Sequence, residues 1–482
     1  MTRAIRWYDY IVFNIYFLGL SFLSQTIGLI TPLLVAQFVG EAQKASAYGD
    51  LRLWMLMTAV LMQALWGLVS DRSRLPWGRR RPFIFAGTLV MLVIMLGLGS
   101  LFSAEGRTGY LLLCGVVILM SIFSNLPQAA AQAIIPDLAP VNKRGVFSGV
   151  KAVLEIPLPV ILVSFTVGRF LAQGNPWGAI FAAMLVLAAC MLLTMLIPDR
   201  PAQGDLAPLD WQPYLNLVAM TAAFAALIFG LGQLLRFFAR LVPPGMRLEE
   251  MLFWAGLAGL AAMAAAILGG VLLGVRIGLG PEAGRNRAFT WWVVNRLAFL
   301  AGMINLSTFA VFYFQSRLGY SQMEAAKPAS QLIYVVGVMI FAAALAGGWL
   351  TDLLGHRRVL AASGLLAAAG VAVMLISASL ILISVGGGLV GLAAGLFYTA
   401  NWALGTQLAP PDQAARYLGI SNLAGAGAGA IGAYLGGPIA DLFTRLAPAS
   451  PGIGYVLLFG IYGVLFLLSS LTVRGIRQAG SE

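Results

Sequence analysis

Stretches of twenty or more apolar residues recur along almost the whole chain, and this feature limits the fold more than any other. Each is long enough to cross a ~30 Å hydrocarbon core as one helix. Across the 482 residues, 60% are hydrophobic and only 10% are charged, too little polar surface for a soluble chain of this length. Fifty-six glycines suit helices that pack closely inside a bilayer. The expected fold is therefore all-α and integral to a membrane.

The apolar runs predict fourteen spans in a six, two, six order. The first six are 10–39, 51–70, 82–102, 109–135, 146–171 and 178–198. Two more lie at 214–239 and 249–275, on either side of a turn at Leu241–Gly245 whose two prolines and glycine suit a reversal. The last six are 288–315, 329–350, 358–377, 382–407, 417–444 and 453–473. Three segments follow: an N-terminal bundle over 1–199, an extra pair over 200–287 and a C-terminal bundle over 288–482. The extra pair is expected at the periphery.

The formal net charge is +12. Lys and Arg collect in short loops between spans, the pattern of basic cytoplasmic loops, and they form no continuous face for nucleic acid. The charge bias puts both termini in the cytoplasm of a bacterial-type inner membrane, with the lipid bilayer as the main partner. No cleavable signal peptide is expected. Cys114 and Cys190 sit in apolar runs without metal-ligand spacing, and the single histidine, His356, lies in a loop. Walker, GxSxG and HExxH motifs are missing. An enzyme is not expected, nor a metal or other cofactor.

Two loops repeat between the halves. The first carries Gly67, Asp71 and Arg72, then Gly78, Arg79, Arg80 and Arg81; its echo carries Gly348 and Asp352, then Gly355, His356, Arg357 and Arg358. The second carries Asp137, Lys143 and Arg144, echoed by Asp412 and Arg416. Matching loops at equivalent places in two halves point to a duplicated half-transporter. Gly67 is expected to admit a neighbouring helix. Asp71 is expected to face a helix N-terminus or a basic group, and the arginines to pair with acids such as Asp137 or with anionic lipid headgroups. Together they form a latch for one access state.

The segment Gly67–Arg80 resembles the signature loop of the major facilitator superfamily. Ser70, Asp71, Arg72 and Gly78–Ile84 look like the sucrose/proton symporters and related glycoside–cation symporters. Leu29–Pro32, Asn125, Gln128, Ala133, Asp137 and Leu138 fall in the same register. The resemblance implies two six-helix bundles and a transporter of small polar solutes, sugars or glycosides first, coupled to H+ or Na+. Two departures stand out: Gln132 and Ser121 occupy positions where those symporters carry an arginine and an aspartate. The family is also normally twelve-helical.

Ionisable groups deep in a membrane point to function. Glu155 in the fifth span is the leading coupling candidate, with Lys151 one turn away. Arg296 is expected to bind an anionic group, to pair with Glu155, or to snorkel. Asp9 is expected at an interface. Gln25, Asn125, Gln128, Gln132, Asn305, Asn401 and Trp402 are polar or aromatic positions within spans that suit a hydroxyl-rich solute. A proton-driven drug or metabolite exporter is a rival reading. A non-transporting assembly factor of the same fold, with a membrane-protein partner, is the other.

Overall fold

The computed structural model describes residues 6–140, 143–199, 201, 211–243, 245–280, 286–321, 323–376, 378–408, 414–450 and 452–476; the side chains of 144, 145, 406, 414–416, 418 and 419 lie outside that description. The described residues form helices joined by short connections, with no strand among them. A backbone in hydrocarbon must satisfy its own hydrogen bonds, and the helix does so within one segment.

Thirteen helices are long and apolar enough to span a membrane. They are α1 (Asp9–Val39), α2 (Lys44–Asp71), α3 (Arg81–Ser103), α4 (Gly106–Leu138), α5 (Val146–Ala172), α6 (Pro176–Thr194), α7 (Gln212–Leu241) and α8 (Leu248–Leu279), followed after one intervening span by α10 (Ala326–Leu354), α11 (His356–Ile376), α12 (Leu380–Gly405), α13 (Ile420–Leu446) and α14 (Ile453–Gly475). The intervening span α9 is a bent pair, Arg287–Thr308 and Ala310–Leu318, turning by 56°. The expected fourteen spans are met when this pair counts as one. The Thr308 hydroxyl donates to its own helix at Ile304 (3.0 Å), a back-bond that favours bending.

α5 is broken twice. Glu155 ends its first piece, Pro157 opens the second, and Thr166 separates the second from the third. Pro157 and Pro159 supply no N–H to the preceding turn, so the helix cannot run through unbroken.

The chain forms two compact units. The first comprises residues 1–38 and 58–214, the second residues 39–57 and 215–482. In the first, α3 packs on α4 and α6. In the second, α10 and α11 both pack on α12, and α9 lies against α13 and α14. The pair α7 and α8 belongs to this unit: Phe224 of α7 packs against Gly270 of α8 and Gly427 of α13. The first half of α2 also belongs to the second unit and its remainder to the first.

Candidate functional site

In the first unit, the loop from α2 to α3 builds a charged cluster around Arg80. Its guanidinium is only 4% exposed, and it meets Asp71 at 2.6 Å, Asp137 at 2.8 Å and the Ser70 hydroxyl at 2.8 Å. Arg79 pairs with Asp71 at 2.9 Å and lies 4.0 Å from Asp137. Arg72 sits half-buried just past the end of α2.

Sequence reasoning missed Asp199, which follows α6. Its Oδ2 accepts from the backbone N–H groups of Arg80 (2.5 Å) and Arg81 (3.0 Å). An anion there neutralises free donors at the start of α3. Gly78 makes the approach possible: its φ is +116°, and a Cβ would strike the Asp199 carboxylate. Gly78→Ala is expected to cost about 1–3 kcal/mol through backbone strain, read as a lower thermal midpoint.

The role expected for Gly67 is corrected. No atom lies within 4 Å of where its Cβ would stand, so no helix approaches closely there. Gly348, its echo, is equally open. Asp352 and Arg357 are exposed and form no ion pair among the described residues. Among the described residues the repeat in sequence does not become a repeat of the Arg80 cluster. The side chains of Arg144 and Arg416 lie outside the described residues, as do Pro410–Asp412.

The span residues divide into two groups. Asn125 and Asn305 are committed to helix packing. Asn125 donates to Ser121 (2.6 Å) in its own helix, and Asn305, fully buried, donates to Ala301 (2.8 Å) and Ala428 (3.2 Å). Asp9 is buried and accepts from the Arg6 backbone N–H at 2.7 Å. The other group keeps polar atoms available. Gln25 on α1 and Gln128 on α4 are half-buried, and their amides have no partner among the described residues. Gln132 is exposed and accepts from Gln63 at 3.2 Å. Glu155 stands at the first break of α5, about one-third exposed, with Lys151 at 3.7 Å.

In the second unit, Arg296 of α9 donates to the Asn401 side-chain oxygen at 2.7 Å. Its guanidinium lies 5.7 Å from the Trp292 ring and 5.8 Å from the Trp402 ring. Trp292 is itself fixed by its indole N–H, which donates to the Asn401 carbonyl at 2.9 Å.

A second missed feature lies at the start of α2. Asp441 of α13 is buried, and its two carboxylate oxygens accept from the backbone N–H groups of Ala45 (3.1 Å) and Ser46 (2.7 Å). Lys44, fully buried beside them, donates to Gln315 at 2.8 Å, pairs with Glu41 at 2.6 Å and sits over the Phe312 ring. One turn further along α2, Asp50 pairs with Arg236 of α7, which lies over the Tyr434 ring.

The model of the Major Facilitator Superfamily matches residues 15–433 of the chain. The chain belongs to that superfamily. No curated protein sequence matches it significantly. Among solved structures it is similar to the nucleoside transporter NupG, at 12% identity and a TM-score of 0.65, covering 96% of this chain and 99% of that one. It is also similar to a peptide transporter POT in complex with sulfate, at 17% identity and a TM-score of 0.65, covering 97% and 94%. The human organic anion transporter MFSD10 (TETRAN) shares the fold at 16% identity and a TM-score of 0.51, over 97% and 100%. These likenesses establish the fold. With the family match they make the chain a multi-pass membrane transporter and not an enzyme.

Proposed function

We propose that this superfamily member is a secondary active transporter of a small polar organic solute, with sugars and glycosides first, driven by an H+ or Na+ gradient. It works in a bacterial-type inner membrane with both termini in the cytoplasm. Transport is by alternating access, and the 200–287 pair belongs with the second bundle. The Arg80 cluster is the latch of one access state.

The observation that carries this reading is Glu155. A carboxylate within a membrane-spanning helix is expensive unless it is used. Here it stands at a break in α5, and its one ion-pair partner among the described residues, Lys151, is at 3.7 Å. That pair is long and partly exposed, so it contributes little to stability, about 0–1 kcal/mol. The carboxylate is thus free to take and release a cation as the helix moves. Gln25, Gln128 and the Gln63–Gln132 pair offer neutral donors and acceptors to hydroxyl groups.

Glu155→Gln is expected to abolish gradient-stimulated uptake of the solute while leaving the thermal midpoint unchanged. Counterflow exchange of labelled for unlabelled solute, which needs no gradient, is expected to persist in the variant. Full gradient-driven uptake by Glu155→Gln would remove the coupling role.

A further inference from the structure

We infer that Arg296 and Asn401 form an anion subsite, and that the transported solute carries a carboxylate beside its polar ring. The inference rests on the transporter reading above and narrows its substrate class to sugar acids and similar solutes.

Arg296 is the tenth residue of Arg287–Thr308, about 14 Å along the axis from the first residue at 1.5 Å per residue. A cation this far into a membrane-spanning helix is costly unless it is paired or used. Among the described residues no carboxylate pairs with it. Asn401 meets one guanidinium nitrogen through its oxygen, which fixes the amide so that Nδ2 points elsewhere. Asn401 is fully buried, and its Nδ2 has no acceptor among the described residues. The Arg296 Nε is also buried and without an acceptor.

Both unsatisfied atoms are donors. A missing partner must therefore accept hydrogen bonds, and beside an unpaired guanidinium a negative acceptor is the one held most strongly. A carboxylate fits, with its two oxygens able to take charge-assisted bonds from planar N–H donors. The walls fit the remainder of such a solute. Trp402 is half-exposed beside the guanidinium and Trp292 is buried against it, and a sugar ring stacks on an indole face. An anionic lipid headgroup shares the acceptor chemistry and is the other source of a negative group.

The test is calorimetric titration of the purified full chain with glucuronate, with glucose, and with short-chain phosphatidylglycerol. Wild type is expected to bind glucuronate at least about tenfold more tightly than glucose. Arg296→Gln is expected to lose that preference and keep the glucose affinity, a readout that mere misfolding cannot give. Arg296→Lys is expected to retain part of it. Equal binding of the two sugars, or wild-type glucuronate affinity in Arg296→Gln, would overturn the anion subsite and leave the transporter reading standing. Arg296-dependent binding of phosphatidylglycerol with no glucuronate preference would overturn it in favour of a lipid contact. Failure of the transporter reading looks different: no solute, neutral or acidic, is taken up, and the subsite falls with it.

Discussion

Arg80→Ala lowers the thermal midpoint of the purified protein by several degrees, and Arg80→Lys fails to restore it. Among the described residues, Arg80 is the one side chain that touches Ser70, Asp71 and Asp137 together. Its loss leaves Asp137 without its closest cation and the Ser70 hydroxyl without its donor. Breaking a buried pair costs about 3–5 kcal/mol. Asp71 is half-exposed and water recovers part of that, so about 2–3 kcal/mol is expected. A lysine ammonium is a point charge on a flexible stem, and it does not reproduce a planar fork holding three partners in fixed directions. Thermal unfolding followed by intrinsic fluorescence reads both variants. Full recovery in Arg80→Lys would show that charge alone matters, not the fork.

The second large effect lies where α2 meets α13. A Cβ at Gly437 would strike the Ala45 carbonyl, and one at Gly49 would strike the Ala433 carbonyl. Backbone atoms cannot rotate out of the way as a side-chain tip can. Gly437→Ala is therefore expected to cost about 1–3 kcal/mol through overpacking. Asp441→Ala is expected to cost about 1–3 kcal/mol, because the buried Ala45 N–H and the half-buried Ser46 N–H lose their acceptor. The two variants are expected to be strongly non-additive. Once a methyl at Gly437 pushes α2 away, the Asp441 carboxylate no longer reaches Ala45 and Ser46, so the double variant costs less than the sum. A double-mutant cycle on the unfolding midpoints measures this. Simple additivity would mean that the cap and the close approach act independently.

The spans were legible because hydropathy is local: each apolar run reports its own helix. Even the extra pair could be read this way, since 214–239 and 249–275 carry spanning length by themselves. The breaks were less so. The fifth span reads as one uninterrupted run over 146–171 although Pro157 and Pro159 stand beside Glu155, and the bend at Phe309 has no proline to mark it. What sequence could not give was the partner of a charge. Asp199 and Arg80 are 119 residues apart, and Asp441 and Ala45 are 396 apart. Nothing local distinguishes Asp441 from any acid near a helix end. Gly67 shows the opposite error, a motif glycine expected at a close contact that stands in open space. The Asp71–Arg80 loop was legible because all its charges lie within ten residues. Its echo at Asp352 and Arg357 read just as clearly, yet the described residues assemble no such cluster there.

The extra pair acquires a physical role from these contacts. Arg236 of α7 holds Asp50 of α2, and Gln233 donates to Tyr434 of α13 at 3.1 Å. The segment foreign to a twelve-helix member thus braces the start of α2, close to where Asp441 caps it.

Secondary transport is the central claim, and uptake into proteoliposomes tests it most directly. Labelled sucrose, maltose, glucose and glucuronate would be offered with and without an inward H+ or Na+ gradient. Gradient-stimulated accumulation of at least one of them, lost when the gradient is collapsed, is the expected result. No flux of any solute under either gradient, from protein that remains folded and membrane-inserted, would contradict it.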